Sequence, residues 1–130
     1  MALGNAYPKR VLEPNLRTVS GVFTGAAAAN MVKVTGKGIT SLAYNAATGK
    51  FLLNFTDVGV EIRGWRIHVG ANTGVAPLVG SLVLGSFSAS AKTCQVEFWD
   101  MAAPSLSNPQ STMKVYVEVD FSDSTYASGG

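Results

Sequence analysis

The run Met113-Lys114-Val115-Tyr116-Val117-Glu118-Val119-Asp120-Phe121-Ser122 alternates apolar and polar residues without a break. Successive side chains of a β-strand point to opposite faces, so period two predicts a strand with one buried side. Met113, Val115, Val117, Val119 and Phe121 form that side. Lys114, Tyr116, Glu118, Asp120 and Ser122 face out. Strands of a parallel sheet are covered on both faces and read as continuous apolar runs, so this alternation argues for an antiparallel sheet.

The same pattern recurs toward the N-terminus. Lys92 to Trp99 places Cys94, Val96 and Phe98 inward and Thr93, Gln95, Glu97 and Trp99 outward. Val79 to Ala89 is a further strand region. Between Val58 and Val69 the apolar phase changes. Val60 and Ile62 share one face, while Trp65, Ile67 and Val69 share a face only if one extra residue is inserted at Gly64, which is the effect of a β-bulge. Lys50 to Thr56 puts Phe51, Leu53 and Phe55 together. Ala46-Ala47-Thr48-Gly49 has hairpin length, with Gly49 suited to positive φ, and joins that strand to Ile39–Asn45. Met31 to Thr35 is a short strand, closed by Gly36-Lys37-Gly38. Arg17 to Thr24 carries Val19 and Phe23 on one side.

About eight strands follow, at the spacing of an antiparallel sandwich. The expected fold is all-β, an antiparallel β-sandwich of jelly-roll-like form. Residues 16–123 make the sandwich. Residues 1–15, with Pro8 and Pro14, read as an extended N-terminal arm, and 124–130 as a loose tail. Asp100 to Thr112, with Pro104 and Pro109, reads as a long loop, and it is the candidate cover for Trp99.

Composition narrows the function. The chain of 130 residues is 47% hydrophobic and only 14% charged, against about 25% charged in ordinary domains. It has one cysteine, Cys94, and one histidine, His68. No intramolecular disulfide and no Cys-x-x-Cys metal site can be built. Charge is uneven: residues 1–66 hold eight Lys or Arg against three carboxylates, a net of +5, and residues 67–130 hold two against five, a net of −3. Folding mixes such halves unless they map onto separate surfaces. The start, Met1 to Pro8, lacks a basic segment before an apolar core, so no secretory signal is expected. The uncharged stretch Ile67–Ala91 is broken by five glycines and prolines, so no membrane-spanning helix is expected.

Catalytic groups are scarce. His68 falls on the outward face beside Arg66, with no nucleophile marked near it. Cys94 alternates with Val96 and Phe98 and reads as a buried thiol. Glu118 and Asp120, two apart on one strand face, read as solvated carboxylates rather than a glycosidase pair. Gly36-Lys37-Gly38 lacks the spacing and the following helix of a phosphate loop. The expectation is a non-enzyme with no cofactor, no metal and no nucleic acid partner. Tyr7, Lys9 and Arg10 in the arm, with outward Trp99 and Tyr116, are the candidate interface residues, because an outward aromatic on a neutral surface marks a contact site.

Three segments carry a family resemblance: Val19-Ser20-Gly21-Val22-Phe23, Val34-Thr35-Gly36-Lys37-Gly38-Ile39 and Thr48-Gly49-Lys50-Phe51-Leu52-Leu53-Asn54-Phe55-Thr56. This pattern resembles small virion proteins of tailed bacteriophages, namely capsid decoration (cement) proteins and, more distantly, the trimeric jelly-roll heads of fibres. The resemblance implies a homo-oligomer, with a trimer favoured. It also implies the major capsid protein as partner, a place on the capsid surface of the virion after synthesis in the host cytoplasm, and no catalytic residues. The proline-bearing arm departs from that pattern. The alternative is a fibre or spike head, or another carbohydrate-binding sandwich, with a glycan as ligand.

Overall fold

The structure is a computed structural model and describes residues 16–70, 78–102 and 105–123. Tyr7, Lys9 and Arg10 of the arm, and the tail at 124–130, lie outside these residues. The described chain forms β1 (Arg17–Thr24), β2 (Val32–Lys37), β3 (Ile39–Asn45), β4 (Lys50–Phe55), β5 (Glu61–Gly70), β6 (Leu78–Ser88), β7 (Thr93–Asp100), β8 (Ser105–Leu106) and β9 (Lys114–Ser122), with no helix among them. Two antiparallel sheets result. One has four strands in the order β2-β1-β9-β5. The other has five, in the order β3-β4-β7-β6, with β8 beside β7. The expected all-β antiparallel sandwich is the fold observed.

The alternating run near the C-terminus supplies β9, central in its sheet. It pairs with all eight residues of β1, from Arg17 opposite Phe121 to Thr24 opposite Lys114, and with β5 on its other side. Val115, Val117 and Val119 are fully buried and Phe121 nearly so. They meet Phe51, Leu53, Val96 and Phe98 from the facing sheet in one continuous core. Edge-to-face aromatic pairs fill it: Phe55 on Phe121 joins the two sheets at 5.0 Å, and Phe51 on Phe98 links β4 to β7 within one sheet at 5.8 Å. Such pairs add about 0.5–1.5 kcal/mol each beyond area burial.

The chain passes between the sheets at Gly38, whose φ is +87°. A side chain there would be strained, and its Cβ would lie 2.3 Å from Val19 Cγ1. Of Gly36-Lys37-Gly38, read from sequence as the break, Gly36 and Lys37 belong to β2 and Gly38 alone is the corner. At the opposite seam β5 lies against β6. Gly80 of β6 makes that approach possible, because a Cβ there would lie 2.3 Å from Ile67 Cγ2. The ladder between β5 and β9 slips between Ile62 and Gly64, leaving Arg63 as the extra residue. The bulge expected at Gly64 is therefore present, one residue earlier.

Three expectations about exposure change. Trp65, expected in the inward set, pairs with buried Val119 yet is exposed, because β5 is an edge strand with a partner on one side only. Ser122, expected outward, is buried where the chain from Val60 closes over it, and its carbonyl accepts from Val60 N–H at 2.8 Å. The segment Asp100–Thr112, expected as loop, contains β8. Ser107 N–H donates to the Phe98 carbonyl at 2.9 Å, and Asn108 Nδ2 donates to the carbonyls of Ala27 and Gly49 at 2.9 and 3.1 Å. The β7–β8 pairing and the Ser107 bond hold residues 105–107 beside β7 rather than over it.

Candidate functional site

The outer face of the five-stranded sheet is laid out in register rows. At one end Leu106, Trp99 and Val79 stand side by side across β8, β7 and β6. The next row is Asn45, Lys50, Glu97 and Ser81. Then come Ala43, Leu52, Gln95 and Val83, followed by Ser41, Asn54, Thr93 and Ser88. The two charges on these rows neutralise one another, with Lys50 Nζ 3.1 Å from a Glu97 carboxylate oxygen. Trp99 is 38% exposed, Val79 43% and Leu106 47%. Trp99 thus faces outward as its alternation predicted. β8 lies in the plane of the sheet and extends the apolar row instead of burying it.

The outer face of the four-stranded sheet has a different chemistry. The Tyr116 hydroxyl donates to Glu118 Oε2 at 3.0 Å, and this bond, the largest effect on it, holds the phenol above its ordinary pKa. Arg66 approaches Glu118 at 3.7 Å, and the His68 ring lies 6.3 Å from that of Tyr116. Thr18 donates to Asp120 at 2.6 Å. Trp99 and Tyr116, both candidate contact residues, therefore sit on opposite faces of the sandwich and do not combine into one site.

Folding mixes the uneven charge of the two sequence halves. Arg17 bonds Asp123 at 2.7 Å and also holds Asp57 and the Val58 carbonyl, Lys50 meets Glu97, and Arg66 meets Glu118. Among the described residues no three His, Cys, Asp or Glu side chains are grouped to hold a metal ion. Cys94 is fully buried. Burial pushes its thiol pKa up, against a smaller opposing effect of hydrogen bonds with Ser86 and Gln95. A thiol held protonated this way is a poor nucleophile. His68 is exposed, as expected of an outward strand position.

No protein-family model, curated protein or solved structure matches this chain. The two faces themselves therefore carry the functional reading. Sequence reading found Trp99 but missed its neighbours. Val79 lies at the start of an assigned strand, so period two could have placed it. Leu106 sits in a two-residue strand between prolines, too short for any periodicity. A shallow cleft of about 260 Å³ at the seam, lined by Val60, Glu61, Ile62, Leu84 and Phe87, had no sequence signal either, since it joins residues from two sheets.

Proposed function

We propose that this chain is a structural virion protein, a capsid decoration (cement) protein of a tailed bacteriophage. It binds the major capsid protein on the outer shell and stabilises the lattice as a homo-oligomer, with a trimer favoured. The observation that carries this reading is the apolar row Val79–Trp99–Leu106, presented on a hydrogen-bonded sheet with its one charged pair neutralised. Contact surfaces place aromatic anchors on rigid supports and deplete unpaired charge around them. The resemblance at residues 19–56 supports the virion assignment. The engagement of Asp57, Asp123, Glu97 and Glu118 by basic partners supports a role in contact rather than in acid–base chemistry.

A second reading, a fibre or spike head or another glycan-binding sandwich, is favoured by the exposed Trp99 ring, since sugars stack on such platforms. Co-sedimentation with phage shells stripped of this protein separates the two. The decoration reading predicts saturable binding to shells and no affinity for a glycan panel. Glycan binding lost in Trp99→Ala, without shell binding, overturns it.

A further inference from the structure

The described strands leave one long sheet edge open. Along β3, Met31 N–H donates to the Leu42 carbonyl at 3.1 Å and Tyr44 N–H donates to Asn30 Oδ1 at 2.8 Å, so the segment before β2 closes that edge. β5 and β6 lie against one another at the seam, where Gly80 meets Ile67. β2 has β1 on one side and no strand on the other. All six of its residues are exposed. Such an edge presents a row of N–H and C=O groups with which a further strand can pair. At about 3.3 Å per residue, β2 offers roughly 20 Å of it.

The charge on this edge is unmatched. Among the described residues the carboxylates are all engaged: five are in ion pairs, Asp120 accepts from Thr18, and Asp100 accepts from Ala102 N–H. Four cations serve those ion pairs. Lys92 donates to the Thr56 carbonyl at 3.3 Å and Lys114 to the Thr24 hydroxyl at 2.9 Å. Lys33 and Lys37, both on β2, are the described cations left with neither an ion pair nor a hydrogen bond. Beside them stand Val32, at 67% the most exposed large apolar side chain among the described residues, and Val34 at 55%.

A second copy is the wrong occupant. Val32–Lys37 holds two ammonium groups and no carboxylate, so β2 paired with itself brings positive charge to positive charge. Centred antiparallel on Thr35, it sets Lys33 directly opposite Lys37 at both ends, and like charges directly opposite are destabilising. Lysines and a bulge are devices that turn identical edges away, and the β1–β2 ladder slips so that Val34 is the extra residue. These devices reject like charge and admit opposite charge. They do not account for the exposed valines. We propose that the open edge of β2 takes an extended, carboxylate-bearing segment of another protein, added as a further strand of the four-stranded sheet. Main-chain hydrogen bonds supply the affinity, Lys33 and Lys37 select acidic over basic sequence, and Val32 and Val34 meet apolar side chains. The inference goes beyond the decoration reading, uses a surface apart from the Trp99 row and sets no copy number.

The test titrates a short synthetic peptide of Thr, Val and Glu into the isotope-labelled full chain, to millimolar concentration, and follows amide shifts and hydrogen exchange by NMR. One control peptide has Lys in place of Glu. Another is the acidic sequence with alternate amides N-methylated. The acidic peptide saturates, and exchange slows at those amides of Val32–Lys37 that point away from β1. The basic and N-methylated peptides bind at least about tenfold more weakly, the first through its charge and the second because it cannot complete the ladder. Lys33→Glu with Lys37→Glu, at exposed positions, prefers the basic peptide. Lys33→Gln with Lys37→Gln loses the preference for the acidic one, and it covers the case of a reversed variant that fails to fold. An acidic peptide that does not bind, that binds no better than its N-methylated form, or that slows exchange along β5 or β6 instead overturns the proposal. So does a chain whose β2 amides become protected on raising its own concentration alone, because the occupant is then a second copy. Shells take no part, so failure of the capsid reading leaves this result standing.

Discussion

Replacing Gly80 by alanine tests how the two sheets close. Gly80 lies in β6 opposite Phe98, and its inward side faces Ile67 of β5. An added Cβ would lie 2.3 Å from Ile67 Cγ2, 3.0 Å from Ile67 Cβ and 3.1 Å from Phe98 Cε1. Carbon atoms pack best at about 3.5–4.0 Å, so the seam must open by more than an ångström or Ile67 must leave its rotamer. Overpacking of this kind costs about 1–3 kcal/mol. Near this chain length 1 kcal/mol moves Tm by about 3–5 °C, so Gly80→Ala should melt roughly 3–15 °C lower by circular dichroism. Ile67→Ala alone removes a partly buried side chain and costs about 1–2 kcal/mol. The double variant should be less destabilised than the sum of the two, with a coupling of about 0.5–3 kcal/mol, because removing Cγ2 makes room for the new methyl. A Gly80→Ala protein as stable as its parent, or additivity within experimental error, would refute the close approach of β5 and β6.

Three further predictions concern the core and the corner. Val117→Asp, between Gly21 and Ile67 in the centre of its sheet, loses about 1.5–3 kcal/mol of burial and leaves an unpaired buried carboxylate; no cooperative melt should be seen, whereas Glu118→Ala on the opposite face should shift stability by less than about 1 kcal/mol. Tolerance of Val117→Asp would mean the register is off by one residue. Gly38→Ala meets both a positive φ and Val19 and should unfold more readily than Gly49→Ala, whose φ of +71° is the same problem in open space; urea midpoints compare them. Cys94 should resist thiol reagents until the chain unfolds. Because its folded pKa lies above the ordinary value of 9.0, its contribution to stability is intact below that value and falls as pH rises from there through the raised one; an alkylation rate unchanged by urea would contradict this.

Strong alternation was enough to locate much of the fold. β1 and β3 match the expected spans of Arg17–Thr24 and Ile39–Asn45, and β9 is the run Met113–Ser122 less its first residue. These strands bury one face each, and period two reports that directly. The strand order was not legible, because pairing β9 with both β1 and β5 joins residues about 50 to 100 positions apart, and only backbone hydrogen bonds and core contacts select it. Trp65 departs from its expected burial for a related reason: periodicity gives the face of a residue, not whether the strand is an edge. Trp99 does face outward as its alternation indicates. Its partners Val79 and Leu106 come from the strands just before and just after β7; period two could have placed Val79, but the two-residue β8 carries no periodicity, so the complete row was not legible in the sequence.

Whether this chain reinforces a capsid lattice can be read from the temperature at which stripped shells come apart as the protein is added back. A ligand that binds the assembled state raises its stability with concentration and saturates when the sites are full. A decoration protein should give an upward shift that levels off at a fixed number of copies per shell. A disruption temperature that stays unchanged at every concentration would contradict the assignment.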